Sequence, residues 1–256
     1  MVLHITSLIL YWCIAGQFCL AVPLLVPSPE THTREDALKF WRIATNGLAP
    51  VYAPLAEQIV SEFQLAEKEG IGIDLGSGPG TLIIELCKRT RRMHWVNADI
   101  NPYFFPLFFK AAEEAEVGHR VSAIFADAQA MPFQDGYADI IVSRGSFHFW
   151  EDKQMAFSEI YRVLKPGGIA FIGRGFPESL PVETARKVRV GQGNGPNYDV
   201  ARTAAELREI MEALEIKEYQ IRTPRPPNSE GVNYGVWLRF HKPASEVHRK
   251  DAESKL

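Results

Sequence analysis

The sequence is poor in cysteine, in net charge, and in charge of either sign near its beginning. Three cysteines, Cys13, Cys19 and Cys87, are scattered through 256 residues. No pair has C-x-x-C spacing and none sits in a Cys/His cluster, so neither a disulfide framework nor a zinc site is expected. Lys plus Arg number 28 against 31 Asp plus Glu, a net charge of −3 with a pI of about 6.2. That balance argues against the broad basic footprint of a nucleic-acid-binding surface. The local basic clusters, from Lys88 to Arg92 and from Arg186 to Arg189, read as solvated helix faces. No internal repeat is present.

Residues 1–29 carry almost no charge: they hold no Asp, Glu, Lys or Arg, His4 is their one histidine, and Glu30 is the first acid. The run from Leu8 to Val22 is long enough to cross a bilayer. Three readings stand open: an anchor using residues 5–26, a signal peptide cut near Ala21 despite lacking a basic n-region, or translation from upstream of the true start. Arg34, Lys39 and Arg42 follow the segment, which favours a cytoplasmic domain behind a membrane anchor. Pro23, Pro27 and Pro29 make a stiff linker. With 46% hydrophobic and 23% charged residues, the remainder reads as one sizeable domain over 35–242, followed by a polar tail at 243–256.

What that domain does have is a glycine turn, Gly72-Ile73-Asp74-Leu75-Gly76-Ser77-Gly78-Pro79-Gly80-Thr81. An apolar strand end meets an acid, then three glycines at alternate positions, then the amphipathic run from Leu82 to Leu86. This is strand, tight turn, helix, with the helix directing unpaired N–H groups at the turn. The dinucleotide fingerprint needs its third small residue one position later, where this chain has Thr81, and the phosphate loop needs Gly-Lys-Ser/Thr, which is missing. Asp74 would repel a pyrophosphate and suits a ligand carrying an ammonium group.

Three further landmarks follow in order. A short strand ends in Asp99-Ile100, a little over twenty residues beyond Gly76, where an acid can take both hydroxyls of a ribose. A third strand, Val121 to Ala126, ends in Asp127-Ala128. After a fourth strand, Ile140 to Ser143, and a helix from Lys153 to Leu164, the run Leu164-Lys165-Pro166-Gly167-Gly168 turns into a fifth strand. Asp139, just before the fourth strand, reads as structural.

Acid plus G-x-G-x-G, with these landmarks, resembles class I S-adenosylmethionine-dependent methyltransferases, closest to the small-molecule branch that includes ubiquinone and menaquinone C-methyltransferases. The landmarks span about residues 70–173, and the element pattern extends to roughly 35–242. The resemblance implies a Rossmann-like, doubly wound α/β fold: a seven-stranded, mostly parallel sheet closed by a C-terminal antiparallel hairpin. It implies S-adenosyl-L-methionine as cofactor, held by Asp74, Gly76, Ser77, Gly78, Gly80, Asp99, Ile100, Asp127, Ala128 and Ser143. Gly76, Gly78 and Gly80 are expected to let the cofactor's methionine portion approach closely. The implied reaction is in-line methyl transfer to a small acceptor, apolar or membrane-associated. The shortage of cysteine weighs against acceptors handled by several thiolates, such as arsenite.

Around the acceptor, the sequence offers His148 and Arg144 after the fourth strand as catalytic candidates, with Arg174 and Tyr198 as further candidates. Tyr52, beside a helix expected over Pro54 to Ala66, is a candidate lid residue. The aromatic run from Tyr103 to Phe109, capped by Asn101 ahead of Pro102, exceeds what one buried helix stripe can hide. A helix is expected over Glu35 to Ala44, one over Pro181 to Val190, and one over Ala204 to Leu214 capped by Thr203. Strands are expected over Ile216 to Thr223 and Val232 to Phe240. A non-methylating S-adenosylmethionine enzyme, or a cofactor-binding regulatory module, is the alternative on the same fold.

Overall fold

The computed structural model describes residues 32–191 and 199–244. The N-terminal apolar segment, Tyr198 and residues 245–256 lie outside the described residues. Among those described, no helix is long and apolar enough to cross a membrane.

Strands β1 (Glu69–Leu75), β2 (Arg92–Asp99), β3 (Val121–Phe125), β4 (Ala138–Arg144), β5 (Leu164–Gly175), β6 (Tyr219–Arg222) and β7 (Gly235–His241) form one sheet in the order β3-β2-β1-β4-β5-β7-β6. The first five run parallel, β7 is antiparallel to β5, and β6 pairs antiparallel with β7. The expected fold class is observed. Helices α1 (Arg34–Arg42) and α2 (Ala49–Glu62) precede the sheet. α3 (Thr81–Arg89), α4 (Phe105–Glu114), α5 (Lys153–Val163), α6 (Val182–Gly191) and α7 (Val200–Ala213) follow in the crossovers.

The period-two alternation of the strands sorts their side chains into two cores. Ile73, Leu75, Ile141, Ile172 and Leu238 face α5 and α7, meeting Phe157, Ile160, Leu207 and Met211. Ile140, Val142, Phe171 and Trp237 face the other way, onto Leu55 and Ile59 of α2, Leu82 and Leu86 of α3, and Phe108 of α4. Burial on both faces is why β1 and β4 read as near-continuous apolar runs. Asp139 is structural as expected: its Oδ2 accepts from the Ile71 amide at 2.8 Å and pairs with Lys165 at 2.7 Å.

Several boundaries differ from the sequence expectation. α2 starts at Ala49 and carries Pro54 inside it; Pro50 occupies its first turn, where a missing N–H costs nothing. Tyr52 is therefore part of α2. α7 starts at Val200, capped by Asp199 accepting from the Arg202 amide at 2.9 Å; the hydroxyl of Thr203 bonds back to the Asp199 carbonyl. The Leu164–Gly168 turn sits inside β5 as a loop-out, since the six residues from Leu164 to Ile169 oppose the three from Ala138 to Ile140. Lys242, the last residue of the expected domain, is tied into the fold. Its backbone exchanges hydrogen bonds with Gly167 and Gly168, and its ammonium reaches the carbonyls of Arg162 and Leu164 at the end of α5.

Candidate functional site

The carboxyl ends of β1, β2 and β3 deliver three carboxylates around the glycine turn. Asp74 is penultimate in β1 and 2% exposed, and its Oδ2 accepts from Ser77 Oγ at 2.8 Å. Burial raises its pKa to about 7, with the Ser77 bond opposing the rise and the Asp99 charge adding to it. Asp99 closes β2 at 6% exposure. Its Oδ2 accepts from the Gly78 amide at 2.7 Å and its Oδ1 from the Asn101 amide at 2.8 Å. Burial raises its pKa as well, opposed by those amides and by His32. Asp127, beyond β3, accepts from the Gln129 amide at 2.9 Å. Ile100 is half-buried and Ala128 is buried.

None of the three acids belongs to an ion pair among the described residues. A carboxylate has about four acceptor positions, and each Asp99 oxygen takes one backbone N–H. Capacity for two hydroxyl donors remains. A buried acid without a counter-ion suits a ligand that brings positive charge and hydroxyl donors.

The three glycines of the turn have different tasks. All have positive φ: Gly76 68°, Gly78 57° and Gly80 73°. A Cβ on Gly80 would lie 2.1 Å from Phe108 Cδ2, and one on Gly76 would lie 2.4 Å from Ser146 Cβ. Those two positions admit close approach of the protein's own side chains. At Gly78 the nearest atom would be Phe104 Cζ at 3.8 Å, so the open space required for close approach of a ligand is found there. Ser143 is 1% exposed, and its hydroxyl is engaged with the Leu75 carbonyl at 2.7 Å and Ser146 Oγ at 2.6 Å.

Sequence reasoning missed Asn97. It is fully buried in β2 opposite Asp74 in register, and its Nδ2 donates to the Gly78 carbonyl at 3.0 Å. The Gly78 peptide is thus held on both sides, by Asn97 at its carbonyl and Asp99 through its own N–H. The available signal was a polar residue between Val96 and Ala98 in a strand otherwise buried.

The ends of β4 and β5 carry positive charge. The Arg144 guanidinium donates through Nη2 to the Gly175 carbonyl at 3.3 Å, and its central carbon lies 5.6 Å from the Tyr52 ring. Burial raises the Tyr52 pKa, Arg144 opposes the rise and Asp74 adds to it, so the Tyr52 hydroxyl feels charges from both halves of the site. His148 follows in a short helical turn, Phe147–Phe149. Burial first, then the charges of Arg174, Lys153 and Arg144, push its pKa down to about 4. The aromatic run after Asn101 is divided: Phe104 and Phe108 are buried, while Tyr103 and Phe109 are exposed. α1 packs across its start, Phe40 edge-on to Phe104 at 6.5 Å and Asn101 Nδ2 donating to the Thr33 carbonyl.

A methyltransferase domain model matches residues 73–172. Over 97 residues the chain is 38% identical to the demethylmenaquinone methyltransferase of Thermus thermophilus, covering 38% of this chain and 43% of that one. Over 106 residues it is 33% identical to the chloroplastic 2-methyl-6-phytyl-1,4-hydroquinone methyltransferase of Arabidopsis thaliana, covering 41% and 30%. The chain thus spans less than half the length of either curated relative. A crystal structure from Methanococcus maripaludis, assigned as an S-adenosyl-L-methionine-dependent methyltransferase, superposes with a TM-score of 0.69 at 31% identity, covering 84% of this chain and 95% of that one. The chain belongs to the class I S-adenosyl-L-methionine-dependent methyltransferases.

Proposed function

We propose that the protein transfers a methyl group from S-adenosyl-L-methionine, by in-line displacement, to a small acceptor of the hydroquinone type. The observation that carries the donor half is the pair of buried acids, Asp74 and Asp99, without counter-ions among the described residues, beside an open Gly78. The cofactor supplies an electrophilic methyl group on a sulfonium. Asp74 and Ser77 would hold its ammonium end, Asp99 its ribose hydroxyls, and Ile100, Asp127 and Ala128 its adenine, with Gly78 lining the methionine portion. Gly76, Gly80 and Ser143 set the shape of the turn on which these residues sit.

Positioning is the main requirement of such a site, worth up to roughly 7–11 kcal/mol in well-aligned cases. Arg144 and His148 lie across from the acids and are assigned to the acceptor. With its pKa near 4, His148 is unprotonated at neutral pH and too weak to act as a strong general base. Its role is to accept a hydrogen bond from the acceptor or to shape the pocket. Similarity to two quinol-methylating relatives, together with the exposed Phe40, Tyr103 and Phe109 beside the cofactor residues, supports an apolar acceptor. The apolar residues 5–26 are proposed to keep the domain at the cytoplasmic face of the membrane where such acceptors reside.

Incubation with methyl-labelled cofactor and a lipid extract, followed by mass spectrometry of the labelled product, tests the reading. A labelled hydroquinone supports it. A polar labelled product removes the acceptor assignment, and tight cofactor binding without any product favours a binding module.

A further inference from the structure

Two buried polar atoms at the carboxyl end of β4 have no hydrogen-bond partner among the described residues: Arg144 Nε and His148 Nδ1. The Arg144 side chain is nonetheless fixed, by Gly175 at one nitrogen and by the Tyr52 ring beside it. No carboxylate pairs with it among the described residues. A buried, oriented and unpaired guanidinium N–H is costly to the folded chain unless an acceptor arrives from outside. We infer that Arg144 forms an oxyanion subsite, which takes up the methyl acceptor through the deprotonated oxygen of an acidic hydroxyl: a phenol, hydroquinone or enol.

The surroundings agree in sign. Arg144, Arg174 and Lys153 all act on His148, and the net effect of this group is positive even with Lys153 paired to Glu206 at 2.8 Å. His148, unprotonated, neither adds to that charge nor cancels it. Tyr52 keeps its proton, since burial raises its pKa. The carboxylate whose charge acts on Tyr52 is Asp74, which is bonded to Ser77 and assigned to the donor half. On binding, the acceptor's hydroxyl proton passes to solvent, and Arg144 Nε donates to the resulting oxyanion. A neutral quinone carbonyl is the competing occupant of the same N–H.

The inference rests on the methyltransferase reading, and one experiment separates the two. 4-Nitrophenol is the probe, because its phenolate absorbs visible light where the neutral phenol does not. It is titrated into protein saturated with S-adenosyl-L-homocysteine, below the probe's own solution pKa. The expected result is a bound probe with the phenolate spectrum, and binding roughly tenfold to hundredfold weaker in Arg144→Gln with loss of that band. Unchanged S-adenosyl-L-methionine affinity in the variant shows that it is folded; if it does not fold, the wild-type spectrum decides alone. A neutral-phenol spectrum in the complex, equal binding by the variant, or no complex overturns the oxyanion subsite. Failure of the wild-type protein to bind S-adenosyl-L-methionine overturns the methyltransferase reading instead.

Discussion

Replacing Asp99 by alanine tests the donor half of the site most directly. In the structure both carboxylate oxygens accept a backbone N–H, from Gly78 at 2.7 Å and Asn101 at 2.8 Å. The assignment requires the same two oxygens to accept two ribose hydroxyls as well. Hydrogen bonds to a charged group are worth about 1.5–3 kcal/mol each, so losing two costs about 3–6 kcal/mol. That corresponds to roughly a hundredfold to ten-thousandfold weaker binding of S-adenosyl-L-homocysteine by calorimetry. The variant also frees the Gly78 amide, so a loss of affinity could arise from a loosened turn alone. A cycle with the 2′-deoxy analogue of the ligand resolves this. The analogue should bind more weakly than the parent to wild type, while Asp99→Ala should bind the two about equally. If the analogue loses as much in the variant as in wild type, Asp99 is not the ribose acceptor and acts only as a brace for the turn.

The raised pKa of Asp74, about 7, makes two pH effects testable. An ammonium-bearing cofactor needs the carboxylate, so affinity should rise with pH up to about 7 and then level off, and Asp74→Asn should flatten that rise. In the ligand-free protein the native state holds this proton over a range where the unfolded chain has released it. Stability from this group is therefore full below the ordinary Asp range and is lost as pH rises towards 7, a fall in Tm that Asp74→Asn should lack. Gly80→Ala places a Cβ against Phe108 at a φ of 73° and should destabilise the fold by at least about 2 kcal/mol in denaturant titrations. Gly78→Ala should cost only the backbone strain, about 1–2 kcal/mol, yet weaken cofactor binding more than Gly80→Ala does among molecules that remain folded. Asn97→Ala removes both the prop under the Gly78 carbonyl and an unpaired buried oxygen. The two effects oppose, so Tm should change little while cofactor affinity drops about tenfold or less, read by calorimetry.

The legible part of this protein was the part whose physics is local. A strand buried on both faces announces itself by an apolar run, and a positive-φ turn by glycine, so β1, the turn and α3 were readable from about fifteen residues. Asp99 was readable because it ends such a strand, and Asp127 because it follows a shorter apolar strand by two residues. The less legible features arose where tertiary contacts override local preference. Pro54 suggested a helix start, but the preceding residues were recruited into α2 because Val51 and Leu55 are fully buried. Gly80 was assigned to the ligand from the turn alone; in the structure its missing Cβ also makes room for Phe108, 28 residues later. Ser143 was assigned to the cofactor from its place at the strand end; in the structure its hydroxyl also donates to the Leu75 carbonyl, 68 residues earlier. A glycine or serine in sequence shows that something comes close; only the fold shows what.

The charges of the site follow from the order of its strands. Sheet order reverses between β1 and β4, and in open α/β sheets ligands lie outside the strand ends at such a reversal. The acids Asp74, Asp99 and Asp127 lie on the β1-β2-β3 side, whereas Arg144 and Arg174 lie on the β4-β5 side. A donor bearing ammonium and sulfonium charges matches the first side, and an acceptor bearing negative charge matches the second. Opposite charges brought together in a poorly hydrated crevice attract more strongly than in water. Methyl transfer between them cancels both, so the two products no longer attract each other as the reactants did. On the proposed arrangement the same charge separation that would assemble donor and acceptor would also release them after reaction. Tyr52, with the Arg144 guanidinium 5.6 Å from its ring and the Asp74 charge acting on its hydroxyl, is influenced by both halves.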